Sequence, residues 1–288
     1  MIPRAYIQEW RSKAPWPDER QIEQDLIICR VLCDLFNSPA LTGKIAFRGG
    51  TAINKLLFEK PLRYSEDIDL VQIQAEPIAA TLDAMRETLS WLGKFSYSQA
   101  RHSIHLLFKF SPENAPDTAL KVKVEINTRE HEHLYQLRNY PFEVESDWYS
   151  AQTAIASFEP EELFGTKLRA LLQRRKNRDL FDLNQGLSQL SMNPERVIAC
   201  LEHYLALQEQ PITRAIAEQR MLEKLQRSLT EDVSPLLPAG IKFTEEDAVA
   251  AFGRVWVELI GRIAGDPWKL SDKVIEDLRS GKIPKLLL

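Results

Sequence analysis

The sequence predicts an α+β chain in two parts: strands interleaved with helices to about residue 150, then helices alone over residues 151–288. Three observations predict it. Residues 44–73 read as strand, Gly-Gly turn, helix and strand. Two later segments, 101–110 and 120–127, carry the alternation of half-buried strands. Beyond 150 the apolar residues recur only at helical spacing.

The elements follow in chain order. Residues 20–36 form an amphipathic helix with Ile22, Leu26, Cys29, Cys33 and Phe36 on one stripe, and Asn37-Ser38-Pro39 ends it. The apolar run Lys44–Arg48 is a strand, closed by Gly49-Gly50. A short helix over about Thr51–Phe58 leads to a second strand bearing Asp67-Ile68-Asp69. Pro77–Leu92 is a helix with Ile78, Leu82, Met85, Leu89 and Leu92 on one side. The strands Arg101–Phe110 and Leu120–Asn127 flank a turn region, Ser111–Asp117, rich in Pro, Asn and Asp. Ser157-Phe-Glu-Pro160-Glu-Glu is a helix start, with Pro in the first turn and acids at the positive end of the dipole. Helices over 194–208, 213–229, 245–263 and 271–280 complete the chain, and a cleft between the two parts is the natural ligand site.

Composition excludes more than it assigns. The chain has 288 residues, 44% hydrophobic and 27% charged, ordinary for a globular protein. No apolar run approaches the ~18 residues of a membrane helix, so no membrane partner is expected. Met-Ile-Pro-Arg at the start lacks the form of a signal peptide, and the cytoplasm is the expected location. Cys29 and Cys33 read as buried thiols on one helix face, and the five histidines show no zinc-site spacing. A net charge of −4 does not advertise a nucleic-acid binder. Yet Arg169, Arg174, Arg175, Lys176 and Arg178 cluster within ten residues, and a local patch is what phosphate contacts require.

The chemistry lies in residues 48–70. On a strand, Asp67 and Asp69 project from one face, with Ser65 beside them if the strand begins that early. Paired carboxylates repel unless a cation sits between them, and hard oxygen ligands favour Mg²⁺, with Mn²⁺ as the alternative. Gly49-Gly50 lets backbone amides at a helix N-terminus approach a triphosphate. In Leu120–Asn127, Val122, Val124 and Ile126 alternate with Lys121, Lys123 and Glu125. Glu125 either joins Asp67 and Asp69 as a third metal ligand or pairs on the surface with Lys121 or Lys123.

In the helix from Pro160, Lys167 falls between Leu163 and Leu171 on the apolar stripe. A snorkelling stem explains that place, and so does an ammonium aimed at a triphosphate in the cleft. Asp179 and Asp182 share a helix face, where Asp182 has Arg178 or Arg175 as its simplest partner.

Phe47-Arg-Gly-Gly-Thr-Ala-Ile-Asn-Lys-Leu56 with Arg63-Tyr-Ser-Glu-Asp-Ile-Asp-Leu70 resembles the signature of the AbiEii/AbiGii nucleotidyltransferase toxins, within the DNA polymerase β-like superfamily. The match falls on Gly49, Gly50, Thr51, Lys55, Arg63, Ser65, Asp67 and Asp69. Glu162–Leu183 is similar to their second block at Lys167, Leu171, Arg175, Arg178, Asp179 and Asp182. The likeness covers about residues 20–190, including the helix with Glu23 and Asp25. The gap from Gly50 to Asp67 is longer than the superfamily's common one, and AbiEii-type proteins share that longer gap.

The resemblance implies a nucleotidyltransferase-type mixed sheet with flanking helices, followed by the helical domain. It implies Mg²⁺-dependent transfer of a nucleotide from an NTP, with Asp67, Asp69 and Glu125 as metal ligands. Lys167 and Asp182 would join them as catalytic residues. Gly49, Gly50, Thr51, Ser65, Lys167, Arg178 and Asp179 would bind the nucleotide. It also implies the toxin of a toxin–antitoxin pair, tied to abortive phage defence, with a cognate antitoxin as partner and an RNA, in particular a tRNA 3′ end, as acceptor. A protein side chain or small molecule as acceptor, and a non-catalytic nucleotide-binding module, are the other readings; the intact D-x-D speaks against the last.

Overall fold

The computed structural model describes residues 2–100, 102–113, 117, 119–208 and 211–284. Part of the turn expected over 111–117, and Arg101 at the start of an expected strand, lie outside the described residues. By compactness the chain forms two units, one of residues 1–159 with 237–240 and the other of 160–236 with 241–288.

The first unit is built on a seven-stranded mixed sheet. Its strands are β1 (Ile45–Arg48), β2 (Asp67–Gln72), β3 (Phe95–Gln99), β4 (Ser103–Phe110), β5 (Leu120–Asn127), β6 (Arg138–Glu145) and β7 (Ser150–Ser157). The order across the sheet is β3-β4-β5-β2-β1-β7-β6. The β2–β5 and β1–β7 pairs are parallel and the rest antiparallel. The helices are α1 (Arg4–Trp10), α2 (Glu19–Asn37), α3 (Gly49–Leu56) and α4 (Ala79–Thr88). Asp18 caps α2 by accepting from the Arg20 amide. The predicted stripe of α2 is buried except Phe36, which is half-buried, and Ile27, Ile28, Val31, Leu32 and Leu35 are buried with it. The buried face is wider than one stripe because α2 packs along β5, β6 and β7 as well as on α1 and α4.

Three strands were not predicted, each for a physical reason. β3 is an edge strand, Phe-Ser-Tyr-Ser-Gln, exposed along nearly its whole length, so it lacks an apolar alternation. β6 carries Pro141, which the opposite edge of the sheet tolerates because its missing N–H is not needed there. β7 is Ser-Ala-Gln-Thr-Ala-Ile-Ala-Ser, whose small residues carry little strand signal. It is nonetheless joined to β1, where the Ser157 hydroxyl donates to the Phe47 carbonyl at 2.6 Å. The expected boundary near 150 therefore moves to 159/160, and the region beyond 150 opens with a strand rather than a helix.

The second unit is helical: α5 (Pro160–Gln173), α6 (Arg178–Gln189), α7 (Pro194–Leu207), α8 (Arg214–Lys224), α9 (Glu245–Glu258) and α10 (Ser271–Arg279). α5 packs on α6, α7 and α8, and α9 on α6 and α10. A Cβ at Gly165 would lie 2.4 Å from the Cys200 Cβ, so only glycine lets α5 and α7 come this close. Cys29, Cys33 and Cys200 are all buried free thiols, and burial pushes Cys29 and Cys33 each up to about 12, as unreactive packing residues require.

Candidate active site

The site is assembled by strand register. Asp69 on β2 pairs with Glu125 on parallel β5, and Asp67 pairs with Lys123 one step earlier. Asp67, Asp69, Lys123 and Glu125 thus share one face of two neighbouring strands, all partly exposed. On the far side of β5, His105 of β4 stands opposite Glu125, with its Nε2 at 3.3 Å from Glu125 Oε2 and 2.9 Å from the Ser103 hydroxyl. On the far side of β2, Arg48 of β1 stands opposite Asp69, and its guanidinium bonds Glu130 at 2.6 Å.

The α3 helix begins where β1 ends. Gly49 has φ +82°, and a Cβ there would lie 2.2 Å from Asp69 Oδ2. This residue must be glycine twice over, for its backbone and for the approach of the carboxylate. Arg48, at the N-cap, supplies no side-chain cap, and the first amides of any helix have no intrahelical partner. Thr51 is buried, and its hydroxyl donates to the Asp67 carbonyl. Its one proton is spent there, so the Ser65 hydroxyl at 2.8 Å donates to Thr51 Oγ1. Thr51 and Ser65, expected to bind nucleotide, thus tie α3 to the start of β2. Asn54 donates to the Gly50 carbonyl and accepts from the Arg63 amide, which fixes the intervening loop.

A buried ion pair anchors α3 from below. Lys55 Nζ lies 2.7 Å from Asp25 Oδ2 on α2, and the indole N–H groups of Trp10 and Trp16 donate to the same carboxylate. Burial works against the Lys55 ammonium, but Asp25 and Cys29 outweigh it and raise its pKa.

Electrostatics on the carboxylate face are opposed. Burial and the charges of Asp67 and Glu125 push Asp69 above the ordinary carboxylate range. Burial also pushes against the Glu125 anion, but the hydrogen bond and charge of Lys123 outweigh it and hold it low. Lys123 Nζ lies 3.0 Å from Glu125 and 3.7 Å from Asp67. Glu125 therefore meets both sequence expectations, beside the aspartates and paired with Lys123. Among the described residues no group of three or more His, Cys, Asp or Glu side chains is arranged to hold a metal ion as it stands. Asp67, Asp69 and Glu125 offer carboxylate oxygens, the donor type of a hard divalent cation, and in this arrangement they surround the Lys123 ammonium instead.

The residues of the second block belong to the helical unit and gather there. Lys167 is 5% exposed and lies 3.1 Å from both Asp179 and Asp182, whose side chains are fully buried. Arg174 adds a two-pronged contact to Asp179 at 2.7 and 2.8 Å. Burial works against the Asp179 anion, and Lys167 with Arg174 overcomes it and holds the carboxyl well below its usual range. The expected Arg175 or Arg178 partner of Asp182 is replaced by Lys167, because the apolar stripe of α5 meets α6 and carries the ammonium onto both carboxylates. Arg175 and Lys176 are exposed and Arg178 half-buried.

The sequence pattern of the family described as "Nucleotidyl transferase AbiEii toxin, Type IV TA system" matches residues 30–253, and the chain belongs to that family. It is thus a nucleotidyltransferase toxin of the type IV toxin–antitoxin kind, for which an NTP is substrate and an antitoxin the partner. Among solved structures it is similar to MenT4, a nucleotidyltransferase toxin from Mycobacterium tuberculosis H37Rv, with 15% identity over 98% of each chain and a TM-score of 0.64. It is also similar to JHP933 from Helicobacter pylori, with 16% identity over 91% of this chain and 95% of that one and a TM-score of 0.53. At these identities the likeness is one of fold. Comparison with curated proteins finds no match. No helix among the described residues is long and apolar enough to cross a membrane.

The double constraint on Gly49 makes a prediction. Gly49→Ala should cost about 1–3 kcal/mol of stability and abolish transfer, because the new methyl displaces Asp69. Gly43→Ala is the control: it shares a positive φ of 72° but meets nothing within 4 Å. It should cost about 1 kcal/mol and leave activity intact. Thermal melts and turnover of the two variants, side by side, make the comparison; equal activity in both would remove Gly49 from the site.

Proposed function

We propose that this toxin transfers a nucleotide from an NTP to the 3′ hydroxyl of an RNA, in particular a tRNA end, in the cytoplasm and with Mg²⁺. The observation that carries the reading is the register that sets Asp69 beside Glu125, with Gly49 packed against Asp69. Asp67, Asp69 and Glu125 would hold the divalent cation, which when bound neutralises phosphate charge and makes the acceptor hydroxyl easier to deprotonate. The amides of Gly49, Gly50 and Thr51 at the start of α3 take phosphate oxygens, favoured by the helix dipole. Thr51, through the Asp67 carbonyl, ties that helix end to β2, while Lys55 in the last turn ties the other end of α3 to Asp25 of α2. Glu125, partly exposed with His105 beside it, would take the hydroxyl proton.

Incubation with each labelled NTP, Mg²⁺ and total RNA tests this, by asking which macromolecule carries the label. Label on RNA supports the proposal. Label on protein or on a small molecule moves the acceptor to that class while keeping the chemistry.

RNA as acceptor rests on the exposed Arg175 and Lys176, with the half-buried Arg178 beside them, in a chain of net negative charge. RNA affinity should fall steeply with salt, with a log–log slope of roughly −0.7 to −0.9 per phosphate contact. Replacing Arg175 and Lys176 with Ala should flatten that slope by about two contacts' worth. Binding that ignores salt would count against an RNA acceptor.

A further inference from the structure

The proposed metal site already contains a cation of its own. Lys123 stands on the same strand face as Glu125, two residues earlier, and in register with Asp67. Its ammonium reaches both carboxylates, at 3.0 Å from Glu125 and 3.7 Å from Asp67. Strand pairing fixes the placement: the β2–β5 register sets Lys123 directly beside Asp67, with Asp69 the next residue along on the same face. Of the neighbouring basic side chains, Arg48 bonds Glu130, and His105 meets Glu125 Oε2 at 3.3 Å with the Ser103 hydroxyl on its other side, so Lys123 alone bridges Glu125 and Asp67 among the ion pairs described.

We propose that Lys123 is a built-in counter-ion of the carboxylate site, which a divalent cation must displace before the site can work. The inference rests on the proposed metal role of Asp67, Asp69 and Glu125. Without metal, the ammonium relieves the repulsion among three carboxylates on adjacent strands. With metal, the same ammonium competes for Asp67 and Glu125 oxygens and repels the incoming charge. Lys123 thereby sets how much divalent cation the site needs. Its long flexible stem allows the exchange without moving either strand.

The test is Mn²⁺ binding, by calorimetry and by electron paramagnetic resonance of the free ion, to the full chain at a pH where carboxylates are ionised. Wild type is compared with Lys123→Met, Lys123→Gln, Lys123→Arg, Asp67→Asn and Asp69→Asn. Both neutral replacements should bind Mn²⁺ about ten-fold more tightly than wild type. They should melt lower than wild type in chelator and gain more from added Mn²⁺. Lys123→Arg keeps the charge and should stay close to wild type. If one neutral variant does not fold, the other carries the comparison. If the aspartate variants lose Mn²⁺ while Lys123→Met and Lys123→Gln bind as wild type does or more weakly, the metal site stands and the counter-ion is overturned. If wild type binds no Mn²⁺ and none of the Lys123 variants does, the metal reading fails and takes this inference with it.

Discussion

Asp67→Asn and Asp69→Asn should each lower nucleotide transfer by roughly a thousand-fold, for a loss of about 4 kcal/mol of charge stabilisation at the reacting phosphate. Neither change should harm the fold. Asparagine is isosteric with aspartate, which matters most for Asp69, where Gly49 leaves room for one carboxylate and no more. Asp69 carries an electrostatic cost from Asp67 and Glu125, so removing its charge relieves the site. Asp67→Asn removes the other half of that repulsion but also weakens the hold on Lys123 at 3.7 Å. The expected pair of results is a melting temperature at or above wild type for Asp69→Asn, near wild type for Asp67→Asn, and lost turnover in both. Single-turnover rates with each NTP separate this from a binding defect, because a ligand lost only from the chemical step lowers kcat and leaves nucleotide affinity close to wild type. Full activity in either variant would remove that residue from the site.

These residues were legible in the sequence because their signals are local. Two aspartates at period two after a Gly-Gly turn declare a shared face without any tertiary knowledge. The strands 45–48, 67–72, 103–110 and 120–127 and the helices α2, α3 and α5 fall close to their predicted bounds for the same reason. What stayed hidden depends on pairing. The alternation of Leu120–Asn127 places Glu125 on a polar face, but only the parallel β2–β5 register puts it beside Asp69 and brings Lys123 to Asp67. His105 likewise enters through the β4–β5 register and carries no motif of its own. β3, β6 and β7 escaped because an exposed edge, an internal proline and a run of small residues each erase the apolar alternation. Thr51 and Ser65 carry a structural part that the resemblance alone does not show: their hydroxyls bond each other and the Asp67 carbonyl, a link that only the placement of α3 on β2 creates.

Lys167→Met should be the most destabilising of the conservative changes. On the sequence, Lys167 sits among leucines, and either a snorkelling stem or an ammonium aimed at a triphosphate accounts for it; methionine keeps the stem and removes the charge. In the fold that charge meets two fully buried carboxylates at 3.1 Å. Removing one member of a buried ion pair leaves the opposite charge in a place without water, at about 3–5 kcal/mol. The expected fall in the melting temperature of the helical unit is roughly 10–20 °C. The pH dependence has a fixed sign. Asp179 is held below its usual range, so its contribution to stability is complete above the unfolded carboxyl value of about 3.9 and is lost as pH falls below it. The gap between wild type and Lys167→Met should therefore be widest near neutrality and narrow in acid, where protonation removes the carboxylate charge that Lys167 balances beside Arg174. Adding Asp182→Asn to Lys167→Met should recover part of the loss, since it takes away one of the two carboxylates the ammonium was balancing. NTP affinity measured well below the melting point then separates the two roles of the lysine. Unchanged affinity makes Lys167 the keystone of a buried charge network. A ten- to hundred-fold loss, about 1.5–3 kcal/mol, gives it a phosphate as well. A variant as stable as wild type across the pH range would mean that the Lys167–Asp179–Asp182 cluster does not hold the helical unit together.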